Sequence, residues 1–287
     1  MASADFSRTE TDHMRVILKR YLGALAAGVM SLALAGTAQA QTCGNDASGF
    51  SNWVNAFSAE AQANGIQAQT LQTAFSGLTY ATQTISLDRN QRSFRLSLDE
   101  FMQKRGADAI VSQGRRHKEQ NANLFASIER SYGVPSGVII AIWGMETAFG
   151  RFMGDQSAMS ALATLAYDCR RSDFFKRELY AALQIVQSGE LTPGQMRGAG
   201  HGELGQTQFL PSNYVLYAVD ADGDGRRDLI NSRADALAST ANFLRSHGWQ
   251  PGAGYQQGEP NFRAIEAWNA ATVYQQAIAI IAQRIDG

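Results

Sequence analysis

The feature that most constrains the fold is the run Val138-Ile139-Ile140-Ala141-Ile142-Trp143-Gly144-Met145, apolar on nearly every side and ending against a carboxylate, Glu146. The run, a helix without a polar face, must be surrounded by other structure. It therefore predicts a core helix. Gly133-Val134-Pro135 supplies its start, since proline fits the first helical position, where its missing N–H costs nothing. Glu146 sits near the other end. A carboxylate there is poorly solvated, which raises its pKa and favours a proton donor near neutral pH. The plainer alternative is an exposed Glu146, or one paired with Arg151.

Helical periodicity dominates the rest of the chain. Phe50, Trp53, Val54, Phe57 and Ala61 follow one-face spacing, as do Ala109-Ile110, Leu124, Ile128 and Tyr132. Leu71 to Phe75 reads as a further turn of helix, while the polar stretch from Asp88 to Arg95 gives no assignment. Leu162, Leu165, Phe174, Phe175, Leu179, Leu183 and Val186 support two more helices ending near Gly189. After the glycines at 198, 200, 202 and 205 come an acidic loop from Asp220, a helix from about Ala234 to His247 and a terminal helix from about Val273 to Ile285. Sustained strand-like alternation is scarce, so the fold class is mainly α. About 44–128 reads as a helical N-terminal part against a core of about 129–287.

At the N-terminus Arg15, Lys19 and Arg20 precede an apolar run from Leu22 to about Ala35, then Thr37-Ala38-Gln39-Ala40. That is the layout of a secretory signal peptide. The expectation is export, cleavage after Ala40 and no membrane span thereafter. Acidic residues before Met14 are unusual in such a leader, so Met14 competes with Met1 as the start. Cys43 follows the run too, but Ala40-Gln41-Thr42 lacks the leucine and small-residue pattern of a lipid-attachment site. With 25 basic against 26 acidic residues the chain is near neutral, and nothing points to a nucleic-acid partner.

Cys43 and Cys169 are the two cysteines. In an exported chain a disulfide between them would persist; the other reading is two buried thiols acting as small apolar residues. Asp220, Asp222 and Asp224 stand at alternate positions ahead of Gly225, the opening of a calcium loop whose seventh position, here the Arg226 carbonyl, also contributes. Asn231 occupies the twelfth position, where a bidentate Glu is expected. The competing reading is an acidic surface loop neutralised by Arg226 and Arg227.

Three long segments resemble the lytic murein transglycosylase B family. Ala141-Ile-Trp-Gly-Met-Glu146-Thr-Ala-Phe-Gly150 is similar to its catalytic-glutamate motif. Gly205-Gln-Thr-Gln208-Phe-Leu-Pro211-Ser-Asn-Tyr214 resembles its glycine-glutamine segment. Ala218-Val-Asp220-Ala-Asp222-Gly-Asp224-Gly-Arg-Arg-Asp228 with His247-Gly-Trp249 resembles the segment after it. Shorter similarities run from Phe50 through Asp88-Arg-Asn-Gln91 to the C-terminal helix.

The resemblance implies a lysozyme-like α+β fold, periplasmic location and a groove for peptidoglycan glycan strands, in a protein taken to be a monomer. It implies non-hydrolytic cutting of the β-1,4 bond between N-acetylmuramic acid and N-acetylglucosamine. Glu146 would protonate the leaving oxygen, then deprotonate the muramoyl C6 hydroxyl, which closes a 1,6-anhydro ring. Ordinary glycosidases use two carboxylates, whereas no second acid accompanies Glu146 in its motif; a distant Asp or Glu could still fold in. Gln208, Asn269 and Tyr274 carry over as groove residues, since amides read hydroxyls and aromatic faces suit sugars. Trp268 stands beside them as a groove or core aromatic. No cofactor is required, and Asp235 is the residue with which relatives would close a structural calcium site.

The chain also departs from the family pattern. Gly198-Ala199-Gly200-His201 stands where some members place a serine that bonds the glutamate, leaving His201 as a substitute or a merely exposed side chain, and Phe243 replaces a tyrosine. The competing functions are a hydrolytic muramidase, a peptidoglycan-binding protein without activity and, weakest, a calcium-binding structural protein.

Overall fold

In the computed structural model, residues 43–90 and 96–287 are described. The leader reading at 1–40, and most of the unassigned stretch before Arg95, lie outside them. Glu146 belongs to α7 (Ser136–Thr147), and every other residue of that helix is buried. Pro135 is the N-cap rather than the first helical residue, in extended backbone at φ −60°, ψ 145°. The start is fixed by Gly133, whose carbonyl accepts the Trp249 indole N–H at 2.9 Å, and by Asp286, whose Oδ1 accepts the Gly137 N–H at 3.0 Å. A Cβ on Gly137 would stand 2.5 Å from the Ala282 carbonyl oxygen, so only glycine allows this approach.

Packed around that axis are α5 (Ala107–Gln120), α6 (Ala122–Tyr132), α11 (Arg233–Ser246) and the terminal α13 (Thr272–Asp286). The last aligns Ala277, Ile278, Ile281, Ala282 and Ile285 as a buried stripe. A capping box at Ser97 and Glu100 starts α4 (Leu98–Arg105), which also packs on α13.

The N-terminal layer consists of α1 (Phe50–Ala63), α2 (Ala68–Ala74) and α3 (Thr82–Arg89). It lies on the hairpin of α8 (Ala158–Tyr167) and α9 (Ser172–Gln187). Phe50, Trp53, Phe57 and Ala61 are the buried face of α1, as their spacing predicts. Asp88, 3% exposed, takes ion pairs from Arg170 and Arg171, and Asp168 takes one from Arg89 at 2.7 Å. Between these pairs a disulfide joins Cys43 to Cys169. The stretch that gave no assignment thus begins as a helix, with Asp88 and Arg89 spent on ion pairs.

The described residues hold one two-stranded antiparallel sheet, β1 (Gln156–Ser157) against β2 (Arg197–Gly198). Downstream, α10 (Pro211–Tyr217) packs on α9 and α11, and α12 (Phe262–Trp268) packs on α13.

Candidate active site

Glu146 is the half-buried residue of α7 and lines a cleft of about 490 Å³. Its Oε1 accepts two hydrogen bonds from the C-terminal segment, one from the Trp268 indole N–H at 3.0 Å and one from the Tyr274 hydroxyl at 2.6 Å. Burial pushes the Glu146 carboxyl up to about 6. The two hydrogen bonds and the charge of Arg105 oppose that rise, and the charge of Glu203 adds to it. Arg151 is engaged elsewhere, with Gln113 Oε1 at 2.8 Å and the Ala148 carbonyl at 3.0 Å, so the sequence alternative of a Glu146–Arg151 pair is set aside.

Immediately after Glu146 the helix stops hard. Ala148, Phe149 and Gly150 are left-handed at φ 47°, 65° and 80°. Such geometry costs on the order of 1–3 kcal/mol at each non-glycine position and persists only where its surroundings enforce it. Here Thr147 does so: its hydroxyl donates to the Gln206 carbonyl at 2.5 Å and accepts the Gly150 N–H at 2.8 Å. The carboxylate-bearing helix is thereby tied to the glycine-glutamine segment.

That segment is a tight hairpin, closed by reciprocal hydrogen bonds between Leu204 and Phe209 at 2.8 and 2.9 Å. Gly205, at φ 76°, would place a Cβ 2.4 Å from the Leu229 carbonyl oxygen, which explains the glycine. Gln208 is left-handed at φ 54° without being glycine. Its amide nitrogen donates to Gly205 and Met153 carbonyls at 2.9 and 3.3 Å, fixing the side chain on the cleft wall.

Arg105, Arg171, His201, Glu203, Trp268 and Asn269 line the same cleft. Glu203 is the second carboxylate that the Glu146 motif lacks, delivered from three positions before the hairpin's Gln206. Its oxygens accept the His201 backbone N–H at 3.2 Å and lie 3.8 Å from His201 Nδ1. His201 is accordingly half-buried in the cleft, not a freely exposed loop residue. Asn269 is the C-cap of α12, its backbone N–H donating to the Ile265 carbonyl at 3.4 Å, and its Oδ1 accepts the Ala271 N–H at 3.0 Å. Tyr274 is 4% exposed and sits against Glu146 instead of lining the cleft, because it comes from the buried stripe of α13. Trp268 is a site residue after all. Phe243, where a tyrosine was noted as missing, is core and packs edge-on to Trp268 at 5.1 Å.

In the acidic loop, oxygens of Asp220, Asp222 and Asp235 lie within 4.8 Å of one another. Asp235 also accepts backbone N–H groups of Ala221 and Asp228, both at 2.8 Å. Asp224 falls outside the group, its Oδ1 taking the Arg226 N–H at 2.8 Å. Arg227 does not neutralise the loop but pairs with Glu190. The three clustered carboxylates fit a hard cation that takes oxygen ligands.

A mainly α, lysozyme-like fold carrying a carboxyl of raised pKa on a polar cleft defines the class. The chain belongs to the Transglycosylase SLT domain family, which residues 49–258 match. Over 122 residues it is 41% identical to the membrane-bound lytic murein transglycosylase B of Escherichia coli, covering 42% of this chain and 34% of that protein. It thus spans about a third of that relative's length. SltB3 from Pseudomonas aeruginosa, solved in complex with NAG-anhNAM-pentapeptide, superposes with a TM-score of 0.78 at 31% identity, covering 83% of this chain and 80% of that one. The Escherichia coli lytic transglycosylase Slt35, solved in complex with calcium, gives 0.73 at 25% identity, covering 87% and 97%.

Proposed function

We propose that the protein is an exported lytic transglycosylase that cleaves the MurNAc-β-1,4-GlcNAc bond of peptidoglycan and leaves 1,6-anhydromuramoyl ends. The observation that carries this reading is Glu146, raised to about 6 and held by Trp268 and Tyr274 on the wall of a polar cleft. A carboxyl with that pKa keeps a usable proton near neutrality and is an equally usable base once the proton is given up. In the first half of the reaction Glu146 protonates the bridging oxygen as its bond to C1 of the muramoyl ring breaks. In the second, the Glu146 carboxylate takes the proton of the C6 hydroxyl while that oxygen bonds to C1. The proton count closes on Glu146 and no water enters.

Gln208 and Asn269 are read as amide contacts to sugar, while Tyr274 and Trp268 orient Glu146. The complex of SltB3 with NAG-anhNAM-pentapeptide supports the same chemistry here. Asp220, Asp222 and Asp235 would hold a structural calcium ion, in keeping with the calcium complex of Slt35. The leader pattern at 1–40 supports export to the periplasm.

A hydrolytic reading has one observation in its favour, the second cleft carboxylate Glu203, which could activate water. Digesting purified peptidoglycan and weighing the muramoyl ends separates the two. Ends one water lighter than hydrolysis products support the transglycosylase, reducing ends support a hydrolase, and binding without cleavage supports a binding protein.

A further inference from the structure

Two arginines line the cleft, and they differ in what already occupies them. Arg171 is ion-paired with buried Asp88 and stacks over Phe175, with Cζ 4.8 Å from the ring centroid. Its charge is spent on holding the N-terminal layer. Arg105, the last residue of α4, makes no ion pair and no hydrogen bond to any described residue. It is exposed to the cleft, yet its position is set. Its Cζ stands 5.3 Å from the centroid of the Phe101 ring one turn earlier on the same helix, and 5.6 Å from that of Tyr274. Those rings are buried and pack edge-on at 5.8 Å. Such stacking leaves the edge of the guanidinium, with its fork of N–H donors, free for a ligand. Tyr274 is also the residue whose hydroxyl reaches Glu146, which places the cation one aromatic ring away from the reacting bond.

The complement of a planar, unpaired guanidinium is a carboxylate bound through two N–H groups. On a peptidoglycan strand the carboxylates belong to the muramoyl unit, either as the free acid of its lactyl ether or on the stem peptide attached there. We propose that Arg105 is a specificity residue that binds a carboxylate of the muramoyl unit seated against Glu146. This assignment rests on the transglycosylase reading and adds to it a preference for acid-bearing strands.

The test compares the wild-type protein with Arg105→Gln and Arg105→Lys on three preparations of the same strands. The first bears stem peptides, the second is stripped by an amidase to free lactyl acids, and the third is stripped and then converted to lactyl amides. On at least one acid-bearing preparation, Arg105→Gln should raise KM about tenfold, the scale of a lost charge-assisted hydrogen bond, while any change in kcat from losing the charge beside Glu146 should be the same on all three preparations. Arg105→Lys should recover part of that loss. On amidated strands the KM gap between wild type and Arg105→Gln should vanish. A gap that closes as soon as the peptides are removed names the stem peptide as the source of the acid. A gap that survives stripping and closes only on amidation names the lactyl group. An equal rise in KM on all three preparations, or no rise on any, overturns the assignment while leaving the transglycosylase reading intact. Failure of the wild type to cleave any strand overturns both.

Discussion

The Tyr274 hydroxyl donates to Oε1 of Glu146 at 2.6 Å across 128 residues of sequence. That bond favours the charged carboxylate and so opposes the rise that burial imposes. Replacing Tyr274 with Phe keeps the ring against Phe101 and removes only the donor. The expected result is a fall in kcat of about 10- to 100-fold, the scale of a lost hydrogen bond to a charged group. The alkaline limb of the pH–rate profile should also move upward. An unchanged limb would show that the hydroxyl does not act on Glu146.

The pH profile follows from the same carboxyl. With Glu146 at about 6 and needed protonated in the free enzyme, kcat/KM should fall as pH rises through about 6. Glu203 contributes a negative charge that raises this value, so Glu203→Gln should move the limb to lower pH, opposite in sign to Tyr274→Phe. Stability carries the same sign. A group whose folded pKa lies above its unfolded value of 4.5 contributes stability below that value and loses it as pH passes about 6. Glu146→Gln should therefore melt above wild type at pH 8, with the gap closing by pH 4.5. A constant gap across that range would contradict the raised pKa.

Much of this site was legible before the structure. The all-apolar run could only be a core helix, and its one acid had to emerge at the end. The hairpin glycines and Gln208 were marked by motif. Glu203, Arg105 and the role of Trp268 were not, because each reaches Glu146 only through tertiary packing. Glu203 sits in a glycine-rich stretch with no periodicity of its own. Arg105 ends an amphipathic helix, where an exposed arginine is ordinary. The ion-pair role of Asp88 was hidden for a similar reason: a polar stretch gives no assignment until its partners at 170 and 171 are known.

The Cys43–Cys169 bond closes a loop of 126 residues in sequence and pins the chain just before α1 to the α8–α9 turn. A crosslink of that span stabilises by about 2–5 kcal/mol. Reduction should lower Tm by roughly 5–15 °C in a domain of this size. Activity at 25 °C should survive, because the Asp88 ion pairs still hold Arg171 at the cleft. An identical Tm with and without reductant would contradict this.

Calcium at Asp220, Asp222 and Asp235 should raise Tm at millimolar concentration. Asp222→Asn should abolish the increment while barely changing the metal-free Tm, since Asp222 is exposed and most of the loop's backbone N–H groups are held by Asp220, Asp224 and Asp235. No increment in the wild-type protein removes the ion from the account.

In the proposed reaction one carboxyl, Glu146, serves as both acid and base. The direct measurement is the yield of 1,6-anhydromuramoyl ends from purified peptidoglycan, by mass spectrometry, for wild type and Glu146→Gln at equal folded concentration. Wild type should yield anhydro ends and the variant at least ~100-fold fewer, the lower bound of a general acid's contribution, with strand binding retained. A variant that still forms anhydro ends within tenfold of wild type would contradict that role of Glu146.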